Sequence, residues 1–382
     1  MKQLVAPNLV GIMLSQLIVN AGRNLVGIFL PLLLMNGGLP LWQVCAFYVI
    51  YAVMKLCVNY PTIKIINRYG ARVGLISAYS MSAIFMIMLV IFTLTGSLAL
   101  VIVMALVMAL QNSFQWNSEH LHISRAMDGS RKSRDLAMIS NLDRIVEIFV
   151  PAMGGAITVA FGSTWLAATA AVIIIIAIIP VWNIDKIAGG HQPDKNLAYN
   201  FRGAPTRDLV ANGAFNFHTA VGTMLWPIYL AVFIPNFQTI GLVTSIATAA
   251  TVIVLYFTAK RSDKGKTYRV LTEGTAMSSL VHLGRVFASS NPVSITVVSS
   301  FYKIALAYQG NPWTSIYYAH ARQRGIHYIL SMEIAGDLAY IVLWGGLGAI
   351  AYFTHSSIFF AVAFISAAIV AWGCQFITPE KR

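Results

Sequence analysis

The sequence contains little charge and few cysteines for its length. Charged residues make up 10% of the 382 positions, hydrophobic residues make up 58%, and the mean hydropathy is +0.71. A soluble domain has about 25% charged and about 45–50% apolar residues, so this composition excludes an ordinary soluble protein. The cysteines, Cys45, Cys57 and Cys374, stand singly in apolar surroundings. Their spacing fits neither a metal site nor a disulfide, and we expect all three to be packing residues.

Motifs for nucleotide or covalent chemistry are also missing. No loop carries the full Gly-x-x-x-x-Gly-Lys-Ser/Thr pattern that cradles nucleotide phosphates, which argues against an ATP-driven pump. The sequence contains neither a nucleophile elbow nor a metal-protease helix. Glu119, His120 and His122 provide one acid and two histidines, which is too weak a set to predict a metal site. We therefore expect no enzymatic activity, no metal and no cofactor.

Long apolar runs dominate what is present. A membrane span needs about 20 predominantly apolar residues. Twelve such stretches, here numbered as spans 1 to 12, are centred near residues 22, 53, 83, 108, 149, 173, 220, 247, 278, 304, 339 and 367. A polar segment with Gly and Pro lies between spans 6 and 7. We predict an all-α polytopic membrane protein with twelve transmembrane helices: a six-helix half over 1–185, a linker over 186–205 and a second six-helix half over 206–382.

The excess of basic residues follows the predicted topology. The chain has 26 Lys and Arg against 13 Asp and Glu, a net charge of +13. Most of the basic residues lie after spans 2, 4, 8 and 10, in the linker and at the termini. The turns that carry almost none are Asn36–Gly38, Thr95–Gly96, Gly162–Ser163, Pro235–Asn236 and His355–Ser356. By the positive-inside rule, both termini and the linker are cytoplasmic, so no nucleic-acid partner is needed to explain the charge. We expect a monomer in the bacterial inner (cytoplasmic) membrane.

The two halves repeat one another in sequence. The matching features occur in the same order at a nearly constant spacing. They are Arg23 with His218, Trp116 and Ser118 with Trp313 and Ser315, Asp143 and Glu147 with Glu333 and Asp337, and Gly154–Gly155 with Gly345–Gly346. Such ordered self-similarity predicts two halves built on one plan.

Short motifs between and within the spans point to a known family. The turn after span 2 reads Asn67-Arg68-Tyr69-Gly70-Ala71-Arg72, the turn after span 8 contains Asp263, and span 5 contains Pro151, Gly154 and Gly155. With twelve spans in two parallel halves and a cytoplasmic linker, the whole chain resembles the major facilitator superfamily of secondary transporters. The family has an Asp where this chain has Asn67, and a leading Gly where it has Ile63. The exporter motif of span 5 is half present, because Val150 stands where the family has a Gly.

The resemblance implies that spans 1, 4, 7 and 10 line a central cavity. Spans 2, 5, 8 and 11 would form the moving interface, and spans 3, 6, 9 and 12 would face lipid. The expected substrate-binding residues on the lining spans are Asn20, Arg23, Asn24, Gln111, Asn112, Gln115, Asn212, Asn216, His218, Lys303 and Gln309.

Arg23 and Lys303 are basic residues at mid-depth, where each charge is costly. We expect Arg23 to anchor a carboxylate or phosphate, with Lys303 facing it from the other half. The alternatives are a structural ion pair for Arg23 and charge balance for Lys303. His218 is either a titrating group or a hydrogen-bonded packing residue. Arg285, near the end of span 9, is expected to extend to the outer surface.

Two acidic pairs are candidates for proton coupling. Asp143 and Glu147 lie one turn apart on span 5, as do Glu333 and Asp337 on span 11. Two carboxylates this close in a low dielectric disfavour simultaneous ionisation, as a proton-coupling site requires. In the alternative, the nearby cations Arg144, Lys55 and Arg23 neutralise the acids as an interface scaffold.

The sequence thus favours a secondary active transporter that moves a small anionic or zwitterionic solute by alternating access, coupled to protons, within the lipid bilayer. Two alternatives remain open. One is efflux of drugs or other amphiphiles by proton antiport, which the half motif around Pro151 and the many aromatic residues would suit. The other is a lipid flippase or a non-transporting receptor on the same fold.

Overall fold

The structure is a computed structural model that describes residues 7–126, 132–182, 203–261, 267–288, 291–354 and 356–378. Side chains are not described at 7–13, 122–126, 132–145, 252–261 and 356. Regular structure in the described ranges is helical, without a strand.

Helices occupy every predicted span. The first part of the chain forms α1 (Pro7–Gly27), α2 (Leu30–Asn36), α3 (Leu41–Tyr69), α4 (Ala71–Thr95), α5 (Leu98–Ala126), α6 (Lys132–Phe161), α7 (Ser163–Ile176) and α8 (Ile178–Trp182). The second part forms α9 (Thr206–Ala220), a π-helix (Val221–Leu225), α10 (Trp226–Phe233), α11 (Phe237–Arg261), α12 (Thr267–Val286), α13 (Pro292–Arg324), α14 (Ile326–Phe353), α15 (Ser356–Val370) and a 3₁₀ helix (Ala371–Phe376). All twelve predicted span centres fall within α-helices.

Seven helical stretches of the described residues are long and apolar enough to cross a membrane. They are Leu14–Asn36, Leu41–Tyr69, Ala71–Thr95, Leu98–Leu121, Ser163–Trp182, Ile326–Phe353 and Ser357–Phe376. Val146–Phe161 of α6 is a shorter apolar helix. Because each of the seven exceeds the roughly 17 residues that a span needs at minimum, the chain is an all-α, multi-pass membrane protein.

Glycines end several helices at the turns that the sequence predicts. Gly70 has φ +89° and separates α3 from α4, and its N–H donates to the carbonyl oxygen of Ile66 at 2.8 Å. Gly96 has φ +61° after α4 and donates in the same way to Phe92. Only glycine adopts these positive φ values at little cost. The Gly of the turn after span 2 is therefore required by the backbone. Of the predicted turns, His355 lies outside the described residues.

Helix contacts in the first part of the chain have counterparts in the second. In the first part, α3 and α4 pack on α5, α4 packs on α7, and α1 packs on α6 and α7. In the second part, α11 and α12 pack on α13, α12 packs on α15, and α9 packs on α14 and on the 3₁₀ helix that extends α15. The broadest contacts between the two parts are those of α3 with α14 and of α6 with α11.

Glycines allow α6 to approach its neighbours closely. A Cβ at Gly155 would lie 2.6 Å from the carbonyl oxygen of Phe237 in α11, and one at Gly154 would lie 2.6 Å from that of Leu25 in α1. The expected close contact at this glycine pair is confirmed. The matching pair in α14, Gly345 and Gly346, has no described atom within 4 Å of either Cβ position. The two pairs are therefore alike in sequence but not in packing.

Exposed apolar side chains cover the helices that the resemblance assigns to the lipid. The largest of them on α7 and α15 are Trp165, Val172, Ile175, Ile176, Ile358, Val362, Ile365 and Ile369. Such a continuous apolar surface indicates contact with a membrane rather than water.

The three cysteines are free, and Cys45 and Cys374 are buried as expected of packing residues. The same expectation is wrong for Cys57, which is exposed.

Candidate functional site

A buried ion cluster joins α3 to α14. The Nζ atom of Lys55 lies 2.7 Å from Oε2 of Glu333 and 2.7 Å from Oδ1 of Asp337. Lys55 is 5% exposed and Asp337 is fully buried. The two carboxylates, one turn apart on α14, therefore share a single ammonium group. With Lys55, Glu333 and Asp337 all ionised, the cluster has a net charge of −1.

Polar side chains of α3 and α5 complete the shell around Asp337. Asn59, one turn after Lys55, donates to Oδ2 of Asp337. Its own Oδ1 accepts from Ser113 Oγ at 2.6 Å and from Asn117 Nδ2 at 3.3 Å. Both carboxylate oxygens of Asp337 thus have partners, as a buried acid requires.

His120 connects this cluster to α13. Its Nε2 lies 3.4 Å from Oε1 of Glu333, and its Nδ1 is 3.0 Å from the hydroxyl of Tyr318. A proton on His120 would give the cluster two cations for its two carboxylates.

A cavity of about 410 Å³ lies between α1, α4, α5 and α13. It brings together six of the predicted substrate residues, namely Asn20, Arg23, Asn24, Gln111, Asn112 and Gln115. Gln16, Glu119 and Tyr318 also line it and were not among the predicted substrate residues. Because Tyr318 hydrogen bonds to His120, one side chain touches both this cavity and the ion cluster.

Arg23 and Glu119 place opposite charges on this cavity. The Nε and Nη2 atoms of Arg23 donate to Ser82 Oγ of α4, the former at 3.1 Å. No carboxylate in the described part of the chain forms an ion pair with Arg23 within 4.0 Å, but Glu119 acts on it electrostatically. Glu119 is 8% exposed and accepts hydrogen bonds from Gln115 Nε2 at 2.7 Å and from Gln16.

A second cavity, of about 350 Å³, lies beside the first and shares Asn24 and Gly27 with it. Lys303 and Glu147 line it, and their charged atoms are 3.6 Å apart, which links α13 to α6. Arg23 lines only the first cavity. The two cations therefore do not face each other across one shared cavity.

The expectation that Arg285 reaches the surface is wrong, because its side chain is 1% exposed. The guanidinium carbon lies 4.2 Å from the ring centre of Trp226 and 4.0 Å from that of Tyr302. Stacking on two aromatic faces keeps the cation inside the protein, where it lines the second cavity.

The remaining predicted substrate residues line neither cavity. Asn212 donates to the carbonyl oxygen of Met332 at 2.6 Å, which ties α9 to α14. Asn216 donates to the backbone of its own helix. Gln309 accepts from Ser278 of α12 at 2.8 Å.

His218 is fully buried, and its ring packs against those of Phe215 and His282. Its ring nitrogens have no hydrogen-bond partner among the described residues.

Some predicted residues lie outside the part of the chain that the structure describes, or have side chains that it does not describe. Asp263 lies outside the described residues, as does the linker from 186 to 202, and the side chains of Asp143 and Arg144 are not described. In the last turn of α3, Asn67 is buried and Arg68 is exposed. The guanidinium of Arg72 lies 5.7 Å from the ring of Trp182.

The described residues contain no group of three or more potential His, Cys, Asp or Glu metal ligands. No protein-family model matches the chain, and no curated protein does.

Proposed function

We propose that the protein is a secondary active transporter of the major facilitator type. It moves a small polar solute across the membrane by alternating access of one site to the two sides. The observation that carries this proposal is the placement of Arg23 and Glu119 on one cavity within helices of a membrane protein. A charge near the bilayer centre costs about 2.5–3.5 kcal/mol even on the lenient insertion scale, so such residues face a polar path or ligand.

The charges of the first cavity favour a zwitterionic solute. The planar guanidinium of Arg23 matches a carboxylate. On the α5 side, the Glu119 carboxylate lines the cavity with Gln111 and Gln115, whose Oε1 atoms have no partner among the described residues. These oxygens suit an ammonium group. The cavity of about 410 Å³ falls in the usual range for small-molecule sites, roughly 300–1,000 Å³.

Helix packing supports the transport mechanism. The matching contacts of the two parts of the chain are those expected of two halves with one architecture. The pairs α3 with α14 and α6 with α11 correspond to spans 2, 11, 5 and 8, which the resemblance assigns to the moving interface. We place the protein in the bacterial inner membrane as a monomer, with both termini in the cytoplasm.

The ion cluster is our candidate for proton coupling. Lys55, Glu333, Asp337 and His120 lie together at the α3–α14 contact. Tyr318 reaches from His120 to the cavity, so a solute that contacts Tyr318 can alter the hydrogen bond of the histidine. A proton on His120 or on one carboxylate then changes the charge that holds the interface together. Glu147 is a second coupling candidate because it pairs with Lys303 across α6 and α13.

The test is flux into proteoliposomes with and without a pH gradient. The probes are radiolabelled neutral amino acids, monocarboxylates, dicarboxylates and an amphiphilic cation. We expect gradient-dependent accumulation of a zwitterion and little movement of the amphiphile. Gradient-driven transport of the amphiphile alone would favour the efflux alternative, and no flux of any probe would contradict the proposal for these solutes.

A further inference from the structure

Arg285 is a buried cation without an acidic partner. It is 1% exposed, and no carboxylate in the described ranges lies within ion-pair distance of it. Its Nε and Nη1 atoms have no hydrogen-bond acceptor among the described residues. Stacking on Trp226 and Tyr302 offsets part of the desolvation cost, but it leaves these N–H donors unsatisfied.

Tyr302 adds a third unsatisfied donor to the same cavity. Its hydroxyl is buried, has no partner among the described residues and lies against Gly222. A side chain at Gly222 would overlap that hydroxyl. Gly222 belongs to the π-helix Val221–Leu225, an irregularity that is frequent at functional sites. The local backbone thus makes room for the phenol beside the guanidinium.

Lys303, the residue after Tyr302, brings a further cation. Its ion pair with Glu147 measures 3.6 Å, whereas each of the Lys55 ion pairs measures 2.7 Å. The described residues that line the second cavity include two basic residues, Arg285 and Lys303, and one acidic residue, Glu147. The lining therefore has two cations for one carboxylate, and Nε and Nη1 of Arg285 and the hydroxyl of Tyr302 lack acceptors among the described residues.

We propose that the second cavity binds an oxyanion, a carboxylate or phosphate group, with Arg285 as its main anchor. The Tyr302 hydroxyl donates to the same group, and Lys303 turns from Glu147 towards it. Occupancy then removes one contact between α6 and α13. This site is separate from the zwitterion site in the first cavity, where Arg23 already donates to Ser82 and lies near Glu119.

The experiment measures thermal unfolding in detergent, without a membrane gradient, so that it does not depend on transport. Sodium phosphate and sodium succinate are titrated against sodium chloride at constant ionic strength. Because phosphate stabilises many proteins by exclusion, the informative quantity is the difference between variants. Arg285→Met removes the charge at similar length, and Tyr302→Phe removes only the hydroxyl. Arg269→Ala on the same helix is the matched control, since Arg269 is 71% exposed by side chain.

We expect a saturable rise in melting temperature for the wild type and for Arg269→Ala. The apparent affinity should fall at least about tenfold in Arg285→Met, and less in Tyr302→Phe. Equal anion-dependent shifts in the wild type and Arg285→Met, or no saturable shift in the wild type, would exclude a free anion as the ligand. If Arg285→Met does not fold, Arg285→Lys and Tyr302→Phe decide by the same criteria.

A second arm identifies the source of the anion. The delipidated protein is titrated with phosphatidylglycerol in mixed micelles, with phosphatidylcholine as the neutral control. A shift that needs Arg285 and occurs with the anionic lipid but not with phosphate or succinate assigns the site to a lipid headgroup. A shift with the free anions assigns it to a solute. Absence of an Arg285-dependent shift in both arms excludes the site. Failure of the flux experiment would leave these binding results unchanged.

Discussion

The ammonium nitrogen of Lys55 lies 2.7 Å from a carboxylate oxygen of Asp337, although 282 residues separate them in the chain. The pair joins α3 to α14 at one of the two broad contacts between the first and second parts of the bundle. A buried ion pair adds little net stability relative to a well-packed apolar pair, but breaking it leaves an uncompensated charge. We therefore expect the strength of this contact to depend on whether Asp337 and Glu333 are ionised.

Removing Lys55 should destabilise the protein strongly. Lys55→Met leaves the carboxylates of Glu333 and Asp337 together without their cation, and we expect a loss of about 3–5 kcal/mol. Adding Asp337→Asn should restore much of the lost stability, because the double variant lacks both charges of the Lys55–Asp337 pair. Thermal unfolding of the single and double variants in detergent measures the effect. A double variant no more stable than Lys55→Met would contradict the pairing.

The same cluster should control coupling. Asp337→Asn and His120→Gln should retain exchange of labelled solute between the two sides, because neither residue lines the first cavity. They should lose accumulation driven by a pH gradient. Counterflow and gradient-driven uptake in the same proteoliposomes separate the two activities, and Glu147→Gln tests the second candidate in parallel. Gradient-driven accumulation at the wild-type level in all three variants would contradict the coupling role and leave the acidic residues a structural role at the interface.

The positions of the helices could be predicted from the sequence because apolar runs and glycine turns are local signals. The partner of Lys55 could not, since no periodicity specifies which of two acidic pairs meets it. Glu119 was missed because it has no acidic counterpart in the second half. Its signal was the spacing of Gln111, Gln115 and Glu119, four residues apart and hence on one helix face. The site of Arg285 depends on aromatic rings from α10 and α13, which local sequence does not bring together.

Arg23 and Glu119 should recognise different ends of a zwitterion. Arg23→Lys keeps the charge but loses the planar pair of donors, so binding should weaken. Arg23→Ala should lose roughly 2–5 kcal/mol of binding free energy, as expected when a buried charge contact is truncated.

Glu119→Gln should reduce affinity for the zwitterion more than for a monocarboxylate of the same size. Competition of each ligand with a labelled zwitterion gives both affinities. If Arg23→Ala leaves affinity unchanged and a second substitution at Glu119 restores its stability, the two residues form only a structural charge pair.

The orientation can be tested with single cysteines in a background where Cys45, Cys57 and Cys374 are replaced. Cysteines at Asn36, Thr95 and Thr354 should react with an impermeant thiol reagent added to intact cells, and one at Lys195 should not. These three sites are exposed at helix ends and avoid Gly37, where a side chain would meet the ring of Phe92. Labelling at Lys195 would reverse the predicted topology.

The two glycine pairs should respond differently to one added methyl group. Gly155→Ala places a Cβ 2.6 Å from the backbone oxygen of Phe237. Because neither backbone can yield without separating α6 from α11, we expect a loss of about 1–3 kcal/mol. Gly345→Ala is the matched control: it meets no described atom within 4 Å and should gain up to about 1 kcal/mol from helix propensity. Melting temperatures in detergent measure both changes. Equal destabilisation by the two substitutions would mean that α14 is as tightly packed at Gly345 as α6 is at Gly155, and that the difference between the halves at this position does not exist.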